Sequence, residues 1–514
     1  MQQSKLTIMS LLIFLVTGLS TSSFFLNDYL TNTINENIHS SAQLDFALEQ
    51  KNLAALRLSM SESKPYSKQW LIFATLLAKT QGDTAYQLAI YYQENPVKAI
   101  FWYKNAIKLN YHQASVALAQ LYFQQDKLNK ASEILAALPK ILAQKLNTQA
   151  NILKVNIAIN QGEVNELSLL VKKYVKQFQQ TIGGRLLLTD INKYQLLNGN
   201  QKGLKSNSLK MNCDNSIQLF ATNLNHLKRL ENIIKKFEEQ TLNKAVCFSS
   251  VRYMPINALD CSHEQDEAIR CNELNWQSWA STIYTRYAGI MLPKGGANVH
   301  LGMLYFDAQD SVDVVAHEVS HLLGFIDEYP LTSEHVSCRA SQKISFSQNI
   351  SILKKYYQGK RIAVRTKVLK QISWAKHIKN TTPILQPVVS INGHNRWQLG
   401  TPIKYKNEVG LFNAQTCDNS IYSLKDKLSA FKPVVQATKL QYSSLDFPEL
   451  YSAFIEENSM QYLMPSFHYN IALAYFQQSP TKPKNMTHAN YWLEQSANWE
   501  RDENRIKKVR QGAF

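Results

Sequence analysis

The sequence of 514 residues lacks several patterns that define large functional classes. It contains no glycine-rich phosphate-binding loop, no GxSxG nucleophile motif and no CxxC pair, which are signatures of P-loop proteins, α/β-type serine hydrolases and zinc ribbons. Beyond residue 23, no apolar stretch approaches the roughly 20 residues that a membrane-spanning helix needs. Disorder of the whole chain is also excluded, because 45% of the residues are hydrophobic and only 18% are charged.

Acidic residues are missing from one long basic segment. Residues 339–406 contain 14 Lys or Arg and no Asp or Glu, so the net charge of +17 falls to +3 in the rest of the chain. The surplus of positive charge therefore belongs to one segment and not to the protein as a whole. We expect no nucleic-acid partner, because the protein is expected to be exported. The segment's simpler interpretation is a solvated basic face in a loop region between Cys338 and Cys417. Its sharper interpretation is a surface that contacts an anionic envelope polymer or an acidic substrate.

The first 23 residues predict export. Lys5 precedes an apolar run, Leu6–Leu19, which is followed by the small residues Ser20–Ser23, the layout of a secretory signal. A single-helix N-terminal anchor is the alternative, and either one indicates a periplasmic or secreted protein. No cysteine precedes residue 213, and the six that follow are expected to form disulfides in an oxidising compartment. Six cysteines allow 15 connectivities, among which the sequence does not choose; pairing between neighbours would join Cys213 with Cys247, Cys261 with Cys271, and Cys338 with Cys417.

Residues 24–205 predict a stack of helices with an internal repeat. Leu88-Ala-Ile-Tyr-Tyr92 returns as Leu118-Ala-Gln-Leu-Tyr122, and Ala99–Ala106 is echoed by Ala131–Ala137. The stretch resembles tetratricopeptide-like (Sel-one-like) repeats, which implies a scaffold that binds a peptide or protein partner. A plain helical bundle is the alternative. A similar fragment in the C-terminal helical segment, residues 469–514, suggests that this segment completes or caps the repeats.

The segment 206–468 has the pattern of an α/β domain. Strands are predicted at 216–222, 246–253, 287–292 and 299–306, with a helix over 224–240 and another that begins near Asp310 or Ser311. The fold class is therefore multidomain: an α-solenoid-like N-terminal region followed by a domain with a mixed sheet and an active-site helix.

The last predicted helix carries His317-Glu-Val-Ser-His321. Positions i and i+4 lie on one helix face, so both imidazoles can bind one metal ion, and Glu318 can reach a water on that ion as general base. Gly324 can end the helix abruptly and bring Asp327 back as a third ligand.

Other third ligands remain open in sequence. The next candidates are Glu328 and then Glu334 or His335. A glutamate roughly twenty residues downstream, as in thermolysin-type sites, is excluded because no Asp or Glu occurs from 335 to 407. His263 and His300 are more simply surface or core histidines.

The residues 317–327 resemble the extended zinc signature of the metzincin metallopeptidases, in the version with aspartate as third ligand. The continuation Asp327-Glu-Tyr329 also resembles the IgA-peptidase-like bacterial branch. This resemblance implies zinc bound by His317, His321 and Asp327, and a methionine turn at Met460 or Met464. It also implies that Tyr462 contacts the metal or stabilises the oxyanion, a role for which Tyr329 is the alternative, and that an edge strand near 299–306 holds an extended peptide.

These observations predict an exported zinc endopeptidase, with Glu318 and Tyr462 as catalytic residues and helical repeats that recruit a substrate or partner protein. Two alternatives belong to other classes. One is a non-catalytic envelope scaffold that retains a relic peptidase fold. The other is a zinc amidase that acts on cell-wall peptides.

Overall fold

The computed structural model describes residues 24–197, 213–262, 268–331, 338, 345–391, 394–417, 428–458, 460–478 and 483–513. The predicted export segment, the predicted boundary near residue 205, His263, Glu334 and His335 lie outside these residues. Among the residues that are described, no helix combines the length and apolar character needed to cross a membrane.

The chain forms two compact units. The first contains the described residues up to Ile157 together with Leu170–Arg185, and the second contains Ala158–Leu169 and the described residues from Leu186 onward. The helices before the sheet are α1 (24–35), α2 (Ser41–Glu49), α3 (Leu53–Glu62), α4 (Lys68–Leu77), α5 (Gly82–Tyr91), α6 (Pro96–Lys108), α7 (His112–Gln124), α8 (Leu128–Ala136), α9 (Gln144–Gln161), α10 (Val164–Gln179) and α11 (Ile182–Lys193).

The core of the first unit is built from the residues that recur in sequence. Helix α5 packs against α6, and α7 packs against α8. Leu88 and Ala89 are fully buried, as are Leu118 and Ala119 at the equivalent positions 30 residues later. Alanines at these contacts let the helices approach closely, and partly buried aromatic residues fill the space around them.

The second unit contains every described strand. These are β1 (Ser216–Ala221), β2 (Cys247–Phe248), β3 (Arg252–Tyr253), β4 (Cys261–Ser262), β5 (Arg270–Cys271), β6 (Tyr287–Leu292), β7 (Asn298–His300), β8 (Met303–Asp307), β9 (Ser351–Lys354), β10 (Tyr356–Gln358), β11 (Leu385–Ile391), β12 (His394–Leu399), β13 (Phe412–Asn413) and β14 (Leu428–Lys432). Its later helices are α12 (Leu224–Phe237), α13 (Gln277–Ala280), α14 (Val312–Leu322), α15 (Arg361–Leu369), α16 (Glu449–Glu457), α17 (Phe467–Gln478), α18 (Pro483–Ala497) and α19 (Glu503–Arg510).

The main sheet is mixed, as predicted. Its strand order is β2-β1-β6-β8-β7, and β3 also pairs with β1. Strands β1, β6 and β8 run parallel, whereas β7 runs antiparallel to β8 and forms one edge. Helices α12 and α14 pack against β1 and β8 and against each other.

Two predicted strands are each divided. Residues 299–306 form the hairpin β7–β8 instead of one strand, because Leu301 and Gly302 have φ angles of 43° and 86° and turn the chain back. Residues 246–253 form β2 and β3, and the Gln218 side chain bonds to Ser249 and Ser250 at the interruption, where the ladder with β1 is broken. The single-strand predictions were wrong at both places.

The C-terminal helices belong to the second unit. Phe467 on α17 and Leu493 on α18 lie in one buried cluster with Phe220, Ile290 and Tyr305 from the sheet. The idea that residues 469–514 complete the helical repeats is therefore wrong. The resemblance between the two helical fragments reflects a shared way of packing small and aromatic residues between helices.

The described part of the basic segment folds into strands and helices and is not a loop region. Strands β10, β12 and β11 form an antiparallel sheet, and Val364, Val368 and Trp374 are buried. The Arg396 guanidinium lies 4.3 Å from the ring centre of Tyr356, which shows how the interleaved aromatic residues support the cations.

All three expected disulfides are present: Cys213–Cys247, Cys261–Cys271 and Cys338–Cys417. The pairing between neighbours is confirmed. Three disulfides are compatible with an oxidising compartment.

Candidate metal centre

Helix α14 presents two histidines on one face. The helix begins after Ser311, whose hydroxyl accepts a hydrogen bond from Val314 N at 3.3 Å, so the predicted N-cap is confirmed. One turn separates His317 from His321, and their Nε2 atoms lie 3.3 Å apart. Both imidazoles therefore point to a common position, as the i, i+4 spacing requires.

A glycine ends this helix and turns the chain back. Gly324 has a φ angle of 86°, and Phe325 N donates to Ser320 O across the turn. A Cβ at position 324 would clash with the backbone of Tyr462, so a side chain is excluded there by space as well as by conformation. The turn brings Asp327 back toward the two histidines.

The Asp327 carboxylate completes a group of three ligand atoms. Its Oδ1 lies 3.0 Å from His317 Nε2 and 3.3 Å from His321 Nε2. One ligand atom from each of these residues lies within 4.8 Å of the others, so the group could hold a metal ion. Oδ1 is buried, yet no hydrogen bond of normal geometry reaches it. A buried carboxylate oxygen without a hydrogen-bond donor, beside two imidazole nitrogens, could bind a cation.

Backbone carbonyls fix both imidazole rings. His317 Nδ1 lies 2.8 Å from Lys439 O, and His321 Nδ1 lies 3.0 Å from Phe325 O. Because a carbonyl only accepts, each Nδ1 carries the hydrogen, and in the neutral ring each Nε2 keeps its lone pair for a metal. Without a metal the group favours a proton: burial lowers the pKa of His321, but the Asp327 charge outweighs burial and raises that pKa to about 9.

Asn349 and Glu328 hold the turn that carries Asp327. Ile326 N donates to Asn349 Oδ1 at 2.9 Å, and Asn349 Nδ2 donates to Ile326 O at 2.8 Å. The buried Glu328 carboxylate accepts from Lys432 Nζ at 2.7 Å and from Tyr451 Oη at 2.6 Å. Both Glu328 oxygens thus accept hydrogen bonds from other side chains. This alternative third ligand is not part of the metal group and instead stabilises the turn beside it.

The Glu318 carboxyl lies in an environment that raises its pKa. The side chain is buried on the same helix, and burial raises the pKa of its carboxyl, although the nearby His321 and His317 oppose the increase. A raised pKa strengthens a carboxylate as a base near neutral pH.

The two candidate tyrosines differ in position. The Tyr329 ring stacks on His317 with centres 6.2 Å apart, and its hydroxyl interacts with the Asp327 carboxylate. Burial, followed by the Asp327 charge, raises the pKa of Tyr329. Tyr462 packs its backbone under Gly324, but its hydroxyl interacts with Ser345.

Both candidate methionines are in the described residues, and Met464 lies near the end of α14. Met464 N donates to Leu322 O at 2.9 Å, so the segment around Tyr462 and Met464 lies directly beneath the last helical turn. Met460 lies in the turn that leads into this segment. His300, by contrast, lies on edge strand β7 and does not belong to the metal group.

Sequence reasoning missed the groups that orient the site. The Lys439 carbonyl and the Asn349 side chain have no motif, since any residue supplies a carbonyl and an asparagine is common in turns. Their distance in sequence from residue 317 gives no signal either. Comparison with known proteins found no matching family, no matching curated protein and no matching solved structure.

Proposed function

We propose that the chain is an exported zinc endopeptidase of metzincin type. The observation that carries the proposal is the convergence of His317 Nε2, His321 Nε2 and Asp327 Oδ1, with both Nδ1 atoms held by carbonyls and Glu318 buried on the same helix. Three protein ligands and an adjacent carboxylate are the arrangement of a catalytic zinc site, whereas a structural site uses four ligands and has no need of the carboxylate.

The chain's own residues can perform the proton transfers of peptide hydrolysis. A bound zinc ion would supply a Lewis acid and lower the pKa of a coordinated water to about 7. The Glu318 carboxylate accepts the proton of the attacking water and then delivers it to the leaving amine. We assign stabilisation of the oxyanion to Tyr329 in preference to Tyr462, because the Tyr329 ring lies against His317.

A peptide substrate can add to the edge of the main sheet. Among the described strands, β7 pairs only with β8, and His300 at its end is exposed. An extended peptide that pairs with β7 would continue the sheet through main-chain hydrogen bonds. Since α14 packs against β7, such a peptide would run beside the helix that carries Glu318.

Two further surfaces are proposed to bind partners. The helical repeats would recruit a protein partner or substrate. The basic segment would contact an anionic envelope polymer: of its 14 cations, twelve lie in described residues, and Lys360, Arg361 and Lys367 on or beside α15 are exposed. Lys360→Glu with Arg361→Glu should then elute from an immobilised polyanion at lower salt than the unchanged protein, and equal elution would contradict this assignment.

The test of the proposed activity is metal content together with casein or gelatin hydrolysis. Near-stoichiometric zinc is expected in the mature protein and in Glu318→Gln, with hydrolysis reduced by about 10²–10⁴-fold in the variant. Glu239→Gln, at an exposed position just after α12, is the matched control and should retain full activity.

Other outcomes assign other functions. Zinc in both proteins with hydrolysis in neither would contradict a general endopeptidase; turnover of cell-wall peptides would then identify an amidase, and its absence would favour the scaffold. No zinc in either protein would refute the metal site itself.

A further inference from the structure

Residues 461–464, named the floor of the metal site, pack against the end of α14 and the turn that follows it. Met464 N donates to Leu322 O at 2.9 Å, and the Tyr462 backbone occupies the space that a side chain at Gly324 would need. Leu322 and Gly324 directly follow His321 and begin the turn to Asp327. The position of the floor therefore sets the position of the turn between two of the three ligands.

Arg286 holds the floor from one side. Its side chain is fully buried, and its Nη2 donates to Met464 O at 2.9 Å while its Nη1 donates to Trp499 O at 2.9 Å. The neighbouring Tyr287 hydroxyl lies 3.1 Å from both Leu322 O and Met464 O, and it donates to these two carbonyls. One residue pair thus connects the helix end, the floor and the C-terminal segment.

Arg505 holds the same floor from helix α19. Its Nη1 donates to Gln461 O at 2.8 Å, and its Nη2 donates to Leu463 O at 2.7 Å. Together the two guanidinium groups fix the carbonyls of three of the four floor residues. The planar fork of arginine suits this task, because it points two donors in set directions.

Glu500 joins the two arginines. Its Oε1 lies 2.6 Å from Arg286 Nη2, and its Oε2 lies 2.7 Å from Arg505 Nε. The Glu500 side chain is 0% exposed, so the carboxylate faces only protein groups. A carboxylate buried between two guanidinium groups neutralises charges that would otherwise be costly to bury.

We propose that Glu500, Arg286 and Arg505 are positioning residues for the metal ligands, so that the C-terminal segment is a working part of the site. The proposal rests on the proposed function for its catalytic consequence. The path is continuous: Glu500 orients the guanidinium groups, these orient the carbonyls of the floor, and the floor holds Leu322 and Gly324. Loss of Glu500 should loosen the turn between His321 and Asp327 before it unfolds the unit.

The experiment compares Glu500→Gln with two controls on α18, the helix that precedes Glu500. Leu493→Ala removes a buried contact of α18 but touches no floor carbonyl, and it matches the loss of stability. Glu494→Gln breaks the exposed pair with Arg510 and controls for the charge change. Each protein is measured free of metal by amide hydrogen exchange, and again with Co²⁺ by competition with a chelator and by the absorption spectrum of the bound ion.

In Glu500→Gln, we expect exchange at residues 322–324 and 461–464 to accelerate by about tenfold or more, and metal affinity to fall by about 10–100-fold with an altered Co²⁺ spectrum. Glu500→Asp should recover part of both effects. Leu493→Ala should lower the melting temperature while it leaves the floor exchange and the spectrum unchanged.

Unchanged exchange at the floor in Glu500→Gln, or an equal acceleration in Leu493→Ala, would overturn the positioning role. A different result is that the unchanged protein binds no metal while Glu500→Gln still accelerates exchange at residues 461–464. That result would support the positioning role of Glu500, Arg286 and Arg505 and refute the proposed enzyme. Failure of the positioning role and failure of the proposed function are therefore distinguishable.

Discussion

The interior of each unit is stabilised by a different kind of contact. Among the described residues of the first unit, no Lys, Arg, Asp, Glu or His is buried, and the helices meet through alanine, leucine and aromatic side chains. The second unit buries Lys, Arg, Glu and His side chains. Its buried charged groups are Arg286, Glu318, Glu328, Lys432, Lys439, Glu500 and Arg505, with the histidines His317 and His468.

The difference follows from what each unit must specify. Apolar contacts are non-directional, so a helical stack tolerates small shifts of its members. A buried charge is costly unless its partners are placed with correct geometry, and the same requirement fixes the backbone to which those partners belong. In the second unit, Glu328 directly follows Asp327, and Glu500 pairs with the two arginines that bond to the carbonyls of residues 461–464.

The largest effect on the difference between the two units is expected when the charge of Glu328 is removed. Glu328→Gln leaves Lys432 buried without its counter-charge, and we expect the second unit to lose about 3–5 kcal/mol of unfolding free energy. Metal affinity should also fall, by about 10–100-fold. Denaturant unfolding and chelator competition measure the two effects.

Asp327→Asn is the matched control for Glu328. Its Oδ1 has no hydrogen-bond donor, so the change should cost more metal affinity and less stability than Glu328→Gln. The opposite ranking would show that Glu328, and not Asp327, holds the metal.

A smaller effect is expected from overpacking the first unit. Ala89→Leu inserts a large side chain at a fully buried repeat position on α5, and we expect a loss of about 1–3 kcal/mol in that unit. Metal affinity should stay unchanged. Gln87→Leu on the exposed face of α5 is the control, and a comparable loss there would contradict the assigned core face.

The smallest effect concerns the half-buried carboxyl of Glu273, which lacks the two-cation environment of Glu500. Burial raises the pKa of Glu273 to about 7, and the hydrogen bond from Tyr305 only partly opposes this. The folded protein therefore binds more protons than the unfolded chain between about pH 4.5 and 7, and stability falls as pH rises through that window.

We expect Glu273→Gln to raise stability by about 1–2 kcal/mol at pH 8 and to change it little at pH 5. Thermal unfolding at the two pH values measures this. A variant that is less stable than the unchanged protein at pH 8 would show that the carboxylate has a partner that compensates its burial.

Local patterns predicted the elements of the site well. The 3.6-residue period and the Ser311 cap predicted α14, and the run 287–292 predicted β6, because these signals depend on neighbours in sequence. The hairpin at Leu301 was hidden, since leucine rarely takes a positive φ angle and carries no turn signal. The location of the C-terminal helices was hidden as well, because small residues pack equally well against helices and against a sheet.

The sequence by itself determined the helix that carries His317, Glu318 and His321, and the glycine that turns the chain toward Asp327, whereas the structure chose the three disulfide pairs. The helix and the turn depend on spacing and on the conformations that single residues allow. Only the tertiary structure decided which groups orient the metal ligands. These are the Lys439 carbonyl, the Asn349 side chain, and Glu500 with the two arginines that bond to residues 461–464. Such contacts join residues more than a hundred positions apart or use backbone atoms that every residue shares, so no local pattern records them.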